Sequence, residues 1–240
     1  MAHDLTPPGS PPAMPLGQGQ HALVLPAEGP ERIRILAFHG GGGVGGAPEM
    51  LLPFSHALMG KTDGLCIALA SYRLLDRDKA GLADMLADAA RALAWCRAEM
   101  PASARLFLLG ASFGGLLALD AALNAPDRIA GVILLNPVAD IAAGGFSNRV
   151  VPQEGRADLS PMQRYDGQDI LHIMRCFIAH GDHDAVVPVE TSHRFARLWP
   201  AGRCEMHDHA GAGHGFFNLP RHSPTVAAQV AAFLEADPAR

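Results

Sequence analysis

Between Arg105 and Asn124 the chain runs from an apolar stretch, RLFLL, through Gly110-Ala111-Ser112-Phe113-Gly114 into a segment of small apolar residues ending at Asn124. A buried strand that turns at once into a helix forces the two backbones close together, and glycines flanking the turn permit that approach. The same rhythm recurs along the chain. Apolar runs at His21–Leu25, Arg32–His39, Leu65–Tyr72, Ile129–Leu135, Cys176–His180 and Cys204–His209 read as strands, the first of them an edge strand. Gly81–Glu99 carries Leu82, Met85, Leu86, Ala89, Leu93 and Cys96 at three- and four-residue spacings, a helical pattern closed by Pro101. Val189–Leu198 and Thr225–Glu235 read as further helices. Strands alternating with helices predict an α/β fold, a mostly parallel central sheet of about eight strands flanked by helices on both faces.

The length, 240 residues, suits one domain with a substantial core. The domain is expected over residues 21–240, preceded by a proline-rich arm over residues 1–20 that is extended or mobile. Between Asn136 and His172 the periodicity gives way to glycine, proline and polar residues, so 137–172 is expected to be a short lid or substrate loop. A net charge of −5 with no basic cluster excludes a phosphate-backbone surface, so no nucleic-acid partner is expected. The N-terminus has neither a basic start nor a long apolar run, so no membrane partner is expected and the cytoplasm is the default location. Cys66, Cys96, Cys176 and Cys204 are scattered without a paired spacing and read as free thiols in apolar surroundings.

Ser112 in its glycine-flanked turn is the candidate nucleophile. The turn lifts its hydroxyl above the strand ends, and the helix that follows presents unpaired N–H groups to developing negative charge. A second glycine run, His39-Gly40-Gly41-Gly42-Gly43, ends an earlier strand. Gly41 and Gly42, with the amide of Phe113, are the candidate donors for an oxyanion. A phosphate cradle is the competing reading of that run, but no lysine-serine or lysine-threonine pair follows it. His39 is expected to anchor the loop rather than to move a proton. A serine hydroxyl needs a base, and that base needs an orienting acid. His214, between Gly213 and Gly215, has the loop freedom to reach over a sheet edge, whereas His207 and His209 share one face of a strand. Asp184, ahead of Val186-Val187-Pro188, is the candidate acid, with Asp182 as its rival and a natural turn residue. Phe113, Phe216 and Phe217 are candidates for the site entrance, Phe216 being assigned to substrate binding. The histidine-rich stretches 180–184 and 207–209 match no zinc spacing, so no metal and no other cofactor is expected.

Taken together, these segments resemble the α/β-hydrolase superfamily, nearest to the HGGG-bearing esterases that include the hormone-sensitive-lipase group. The resemblance rests on His39–Gly42, Ser71-Tyr72-Arg73-Leu74, Leu159-Ser160-Pro161, Gly110–Gly114, the stretch His180-Gly181 to Val187-Pro188, and Gly213-His214-Gly215-Phe216. It spans Ile33 to about Asn218, without room for a large cap. Leu75-Asp76-Arg77 stands where that group commonly has Ala-Pro-Glu. The resemblance implies a serine carboxylic-ester hydrolase acting through Ser112, Asp184 and His214 on a small, short-chain or acetylated ester, with activity falling as pH drops through roughly 6–7. A peptidase of the prolyl-oligopeptidase type and a catalytically silent binding protein are the alternatives.

Overall fold

A computed structural model of the chain describes residues 11–236. Its centre is one eight-stranded sheet in the order β1-β2-β4-β3-β5-β6-β7-β8. The strands are β1 (Ala13–Gly17), β2 (Gln20–Leu25), β3 (Ile33–Phe38), β4 (Leu65–Ala70), β5 (Arg105–Ala111), β6 (Ile129–Leu135), β7 (Arg175–Gly181) and β8 (Cys204–His209). From β4 to β8 every pairing is parallel, while β1 and β2 join antiparallel at one end. Strands β3 through β7 are largely apolar and buried on both faces, as a parallel sheet covered by helices on both sides requires.

The helices are α1 (Leu52–Met59), α2 (Leu75–Asp78), α3 (Leu82–Glu99), α4 (Phe113–Asn124), α5 (Arg156–Leu159), α6 (Pro161–Tyr165), α7 (Ile170–Ile173), α8 (Val189–Ala196) and α9 (Ser223–Glu235). The alternation of side chains along the strands sorts the core into two layers. Leu36, Phe38, Leu108 and Ile178 pack with α3, α4 and α8 on one face. Ile33, Ile35, Phe107 and Phe177 pack with α1 and α9 on the other. Burying a side chain of this size stabilises by about 1.5–3 kcal/mol.

Three expectations change. His21–Leu25 lies within β2, which pairs on both sides and is not an edge; the edge is β1. The expected arm is therefore extended over Ala13–Gly17 but held in the sheet, and its residues 1–10 lie outside the described residues. The 137–172 segment is not irregular throughout, since α5, α6 and α7 occupy part of it. Its C-terminal third is anchored in the core by Tyr165, whose hydroxyl donates to the Leu119 carbonyl at 2.8 Å, and by Ile170 and Leu171.

Candidate active site

The carboxyl ends of β3, β5, β6, β7 and β8 all lie along one edge of the sheet, the edge at which open α/β sheets place their ligands. Ser112 sits between β5 and α4 with φ +53° and ψ −120°, a backbone conformation that L residues rarely adopt. Close packing holds it there. A Cβ on Gly110 would stand 2.3 Å from the Gly114 carbonyl oxygen, and one on Gly114 would stand 2.1 Å from that of Phe38. The Ser112 N–H donates to Leu135 O at 2.9 Å, and its own carbonyl accepts from Val138 and Gly115 at 2.9 Å each. The strain is thus held by β6 on one side and by α4 on the other.

The side chain of Ser112 meets that of His214, with Oγ 2.9 Å from Nε2. On the opposite side of the ring, Nδ1 lies 2.7 Å from Asp184 Oδ2. A ring nitrogen facing a carboxylate carries the hydrogen, which leaves Nε2 free to accept from Ser112. Asp184 is held on all sides. Its Oδ1 accepts the N–H groups of Val186 and Val187 at 2.8 and 2.9 Å, and its Oδ2 lies 3.2 Å from His180 Nε2. Burial alone would push its carboxyl up, but hydrogen bonds from His180, His214, Val187 and Val186 outweigh burial and hold it well below the usual carboxylate range. Asp182 turns elsewhere, accepting from Gly211 N at 2.7 Å. His207 stacks on Phe177 with centroids 4.9 Å apart, and His209 packs on Phe216 at 4.7 Å, so neither rival histidine joins Ser112.

The glycine run curls back on itself, with Gly41, Gly42 and Gly43 at φ +105°, +64° and +71°. His39 Nδ1 donates to Gly40 O at 2.7 Å, and Tyr72 Oη donates to His39 O at 2.9 Å and Gly40 O at 3.3 Å. A planar trans peptide whose carbonyl points into that pair turns the Gly41 N–H the other way. Val44 and Gly45 N–H groups, each 3.1 Å from Gly41 O, do the same for Gly42 N–H. Neither the Gly41 nor the Gly42 N–H has an acceptor among the described residues, and both residues line the cavity over Ser112. Phe113 opens α4, where an N–H has no carbonyl one turn back. Burial pushes His39 down to about 4, so it is a neutral donor at physiological pH and anchors the loop as expected. Tyr72 stacks on it with centroids 4.3 Å apart. The neighbouring Arg73 is tied to α3 by Asp88, which accepts from both its backbone N and its Nε at 2.9 Å.

The cavity over Ser112 measures about 320 Å³ and has a mostly apolar wall that includes Met50, Leu51, Phe146, Val186 and Phe217. Phe216 is not part of it. Its ring is wholly buried beneath the His214 loop among His209, Phe217 and His222, which corrects its assignment to substrate binding. The Phe113 ring is likewise buried and packs against Phe146 from behind. The 3-10 turn Phe216–Asn218 explains the exchange, because successive residues on such a turn face different sides.

Two residues packed around the candidate triad have no role there assigned from the sequence. Asn136, at the end of β6, has φ +40° and is wholly buried. Its Nδ2 is 3.4 Å from both ring nitrogens of His214, and its Oδ1 accepts from Gly215 N at 3.3 Å, so it packs against the imidazole and its loop together. His180 shares its Nε2 hydrogen between Val187 O, at 2.9 Å, and Asp184, while its Nδ1 lies 2.7 Å from Ser192 Oγ. The Gly-x-x-Asp spacing after His180 was legible, but the return of the Val187 carbonyl to its ring was not.

A family of the alpha/beta hydrolase fold matches residues 35–201. The chain belongs to that family and is an enzyme of its serine-hydrolase class. Among solved structures it is similar to a thermophilic esterase from the planctomycete Thermogutta terrifontis with propionate bound, at 25% identity and a TM-score of 0.76, covering 95% of this chain and 94% of that one. The butyrate-bound form of the same esterase gives the same identity, coverage and TM-score. The apo form of Thermogutta terrifontis esterase 2 superposes with a TM-score of 0.79 at 24% identity, covering 98% and 97% of the two chains. A comparison with curated proteins finds no match. Among the described residues no helix is long and apolar enough to cross a membrane.

Proposed function

We propose that the protein hydrolyses esters of short-chain carboxylic acids by a Ser112–His214–Asp184 acyl-transfer mechanism. The observation that carries this reading is the unbroken row from Asp184 Oδ2 through His214, at 2.7 Å, to Ser112 Oγ, at 2.9 Å. In the first step His214 Nε2 takes the Ser112 proton as Oγ attacks the ester carbonyl, and Asp184 stabilises the imidazolium. The N–H groups of Gly41, Gly42 and Phe113 receive the oxyanion. Collapse of the tetrahedral intermediate expels the alcohol, protonated by His214. A water, deprotonated by the same nitrogen, then attacks the acyl-enzyme and releases the acid. No cofactor enters either step.

A cavity of about 320 Å³ lies at the small end of ligand sites, which supports a compact acyl group. The propionate- and butyrate-bound forms of the similar esterase support the same class of substrate. The segment 137–172 serves as the lid, contributing Phe146 to the cavity wall. Four free cysteines fit a reducing compartment, the cytoplasm. The test is a p-nitrophenyl series from acetate to decanoate, run beside proline and amino-acid anilides, on wild type and Ser112→Ala. Acetate to butyrate should turn over fastest, and Ser112→Ala should lose about 10⁶ in kcat. Preference for decanoate, faster anilide cleavage, or an active Ser112→Ala would overturn the proposal.

A further inference from the structure

Each carbonyl of the glycine loop has a donor, and the donors differ in origin. Gly40 O is held by His39 and Tyr72, Gly41 O by the loop's own Val44 and Gly45, and Gly43 O by Leu75 N at 2.9 Å. Gly42 O accepts from the side chain of Asn148, 106 positions further along the chain, whose Nδ2 stands 2.7 Å away. Asn148 belongs to the strap that crosses from β6 towards α5.

The amide of Asn148 is oriented by its own turn. Its Oδ1 accepts Val150 N at 2.9 Å and Val151 N at 3.3 Å, so the nitrogen is the end that faces Gly42. Val150 and Val151 are buried and pin the strap to the core. Arg149 reaches Asp76 of α2 at 3.0 Å, beside the residue that holds Gly43 O. Phe146, two positions before Asn148, lies against Phe113 and lines the cavity. One short segment therefore touches both the space a substrate fills and the backbone that would receive its oxyanion.

We propose that Asn148 is a positioning residue for the oxyanion hole, supplied by the strap, so that the hole is fully set when the strap lies on the glycine loop. The proposal rests on the acyl-transfer reading above. Three successive glycines with positive φ have wide backbone freedom, and Gly42 Cα joins the peptide that Asn148 holds to the peptide that carries the Gly42 N–H. Releasing the first loosens the second. Asn148 touches no reacting atom, and its contribution falls on the transition state, where charge sits on the oxygen.

Asn148→Ala and Asn148→Asp test this. The aspartate keeps an oxygen for Val150 and Val151 and so preserves the turn, but sets a carboxylate against the Gly42 carbonyl. Direct loss of an oxyanion donor typically costs about 10²–10³ in rate. Loss of a group that positions one should lower kcat about 10-fold in the alanine variant and further in the aspartate variant, with KM within about 2-fold. Affinity for an acyl trifluoromethyl ketone should weaken in step with kcat/KM. Both variants retaining full kcat, or losing only KM with unchanged ketone affinity, would overturn the proposal. A fluorophosphonate label on wild type separates the two levels: an unlabelled Ser112 sinks the acyl-transfer reading itself, whereas a labelled Ser112 with indifferent Asn148 variants sinks this inference alone.

Discussion

Replacing Asp184 by asparagine changes one atom of the site, and the structure dictates how the new side chain sits. Val186 and Val187 both donate to Oδ1, at 2.8 and 2.9 Å, so the amide oxygen takes that position and the NH2 group takes the place of Oδ2. There it meets His214 Nδ1 at 2.7 Å and His180 Nε2 at 3.2 Å. A donor facing Nδ1 favours the ring form with its hydrogen on Nε2, which then points at Ser112 and cannot accept its proton. The Gly41 and Gly42 N–H groups and the cavity stay in place, so under the proposed mechanism binding survives while general-base help is lost. A carboxylate-to-amide change of this kind costs about 10⁴ in kcat, or roughly 5.5 kcal/mol of transition-state stabilisation. Steady-state kinetics on p-nitrophenyl butyrate should show that fall with KM little changed. Asp182→Asn, which disturbs one bond to Gly211 N at 2.7 Å, should stay within a few-fold of wild type. Asp184→Asn with more than a tenth of wild-type kcat would refute the reasoning, as would a larger loss in Asp182→Asn.

Two further outcomes are expected. Because burial lowers His39 from 6.5 to about 4, the unfolded chain binds a proton there before the folded chain does. The stability this neutral ring contributes is complete above about pH 6.5 and is lost as pH falls towards 4, by about 3 kcal/mol in urea unfolding; a flat stability over that range would count against the assignment. Gly114→Ala places a methyl group 2.1 Å from Phe38 O, backbone against backbone, and should cost at least 1–3 kcal/mol with loss of activity, measured by urea midpoint and fluorophosphonate labelling; wild-type behaviour in both would show that α4 can shift away.

What the sequence disclosed follows from what is local. β3 to β8 and the long helices announced themselves through runs and periodicity; Ser112 and His214 stood out as candidates through their flanking glycines, and Asp184 through its place between the strand CFIAH and Val186-Val187-Pro188. β1 stayed hidden because AMPLG has one buried residue and a proline, and acquires its strand character from pairing with β2. α1 was unmarked, since LPFSHALM opens with a proline at its second position and spans little more than two turns. Phe216 and Phe217 are adjacent and chemically alike, so the choice between core and cavity depended on a turn that only the packed loop defines. The contacts of Asn136 and Asn148 join segments that are distant in sequence, and a lone asparagine in a loop gives no hint of its partner.

The edge that gathers these groups draws on loops after β3, β5, β6, β7 and β8, so nothing reactive exists within any single stretch of chain. Under the proposed mechanism the last group required is His214, on the turn beyond β8, which must emerge during synthesis and dock before the Ser112 hydroxyl has a base. On that mechanism a nascent or partly unzipped molecule is inert, and appearance of turnover would report completed assembly of the sheet.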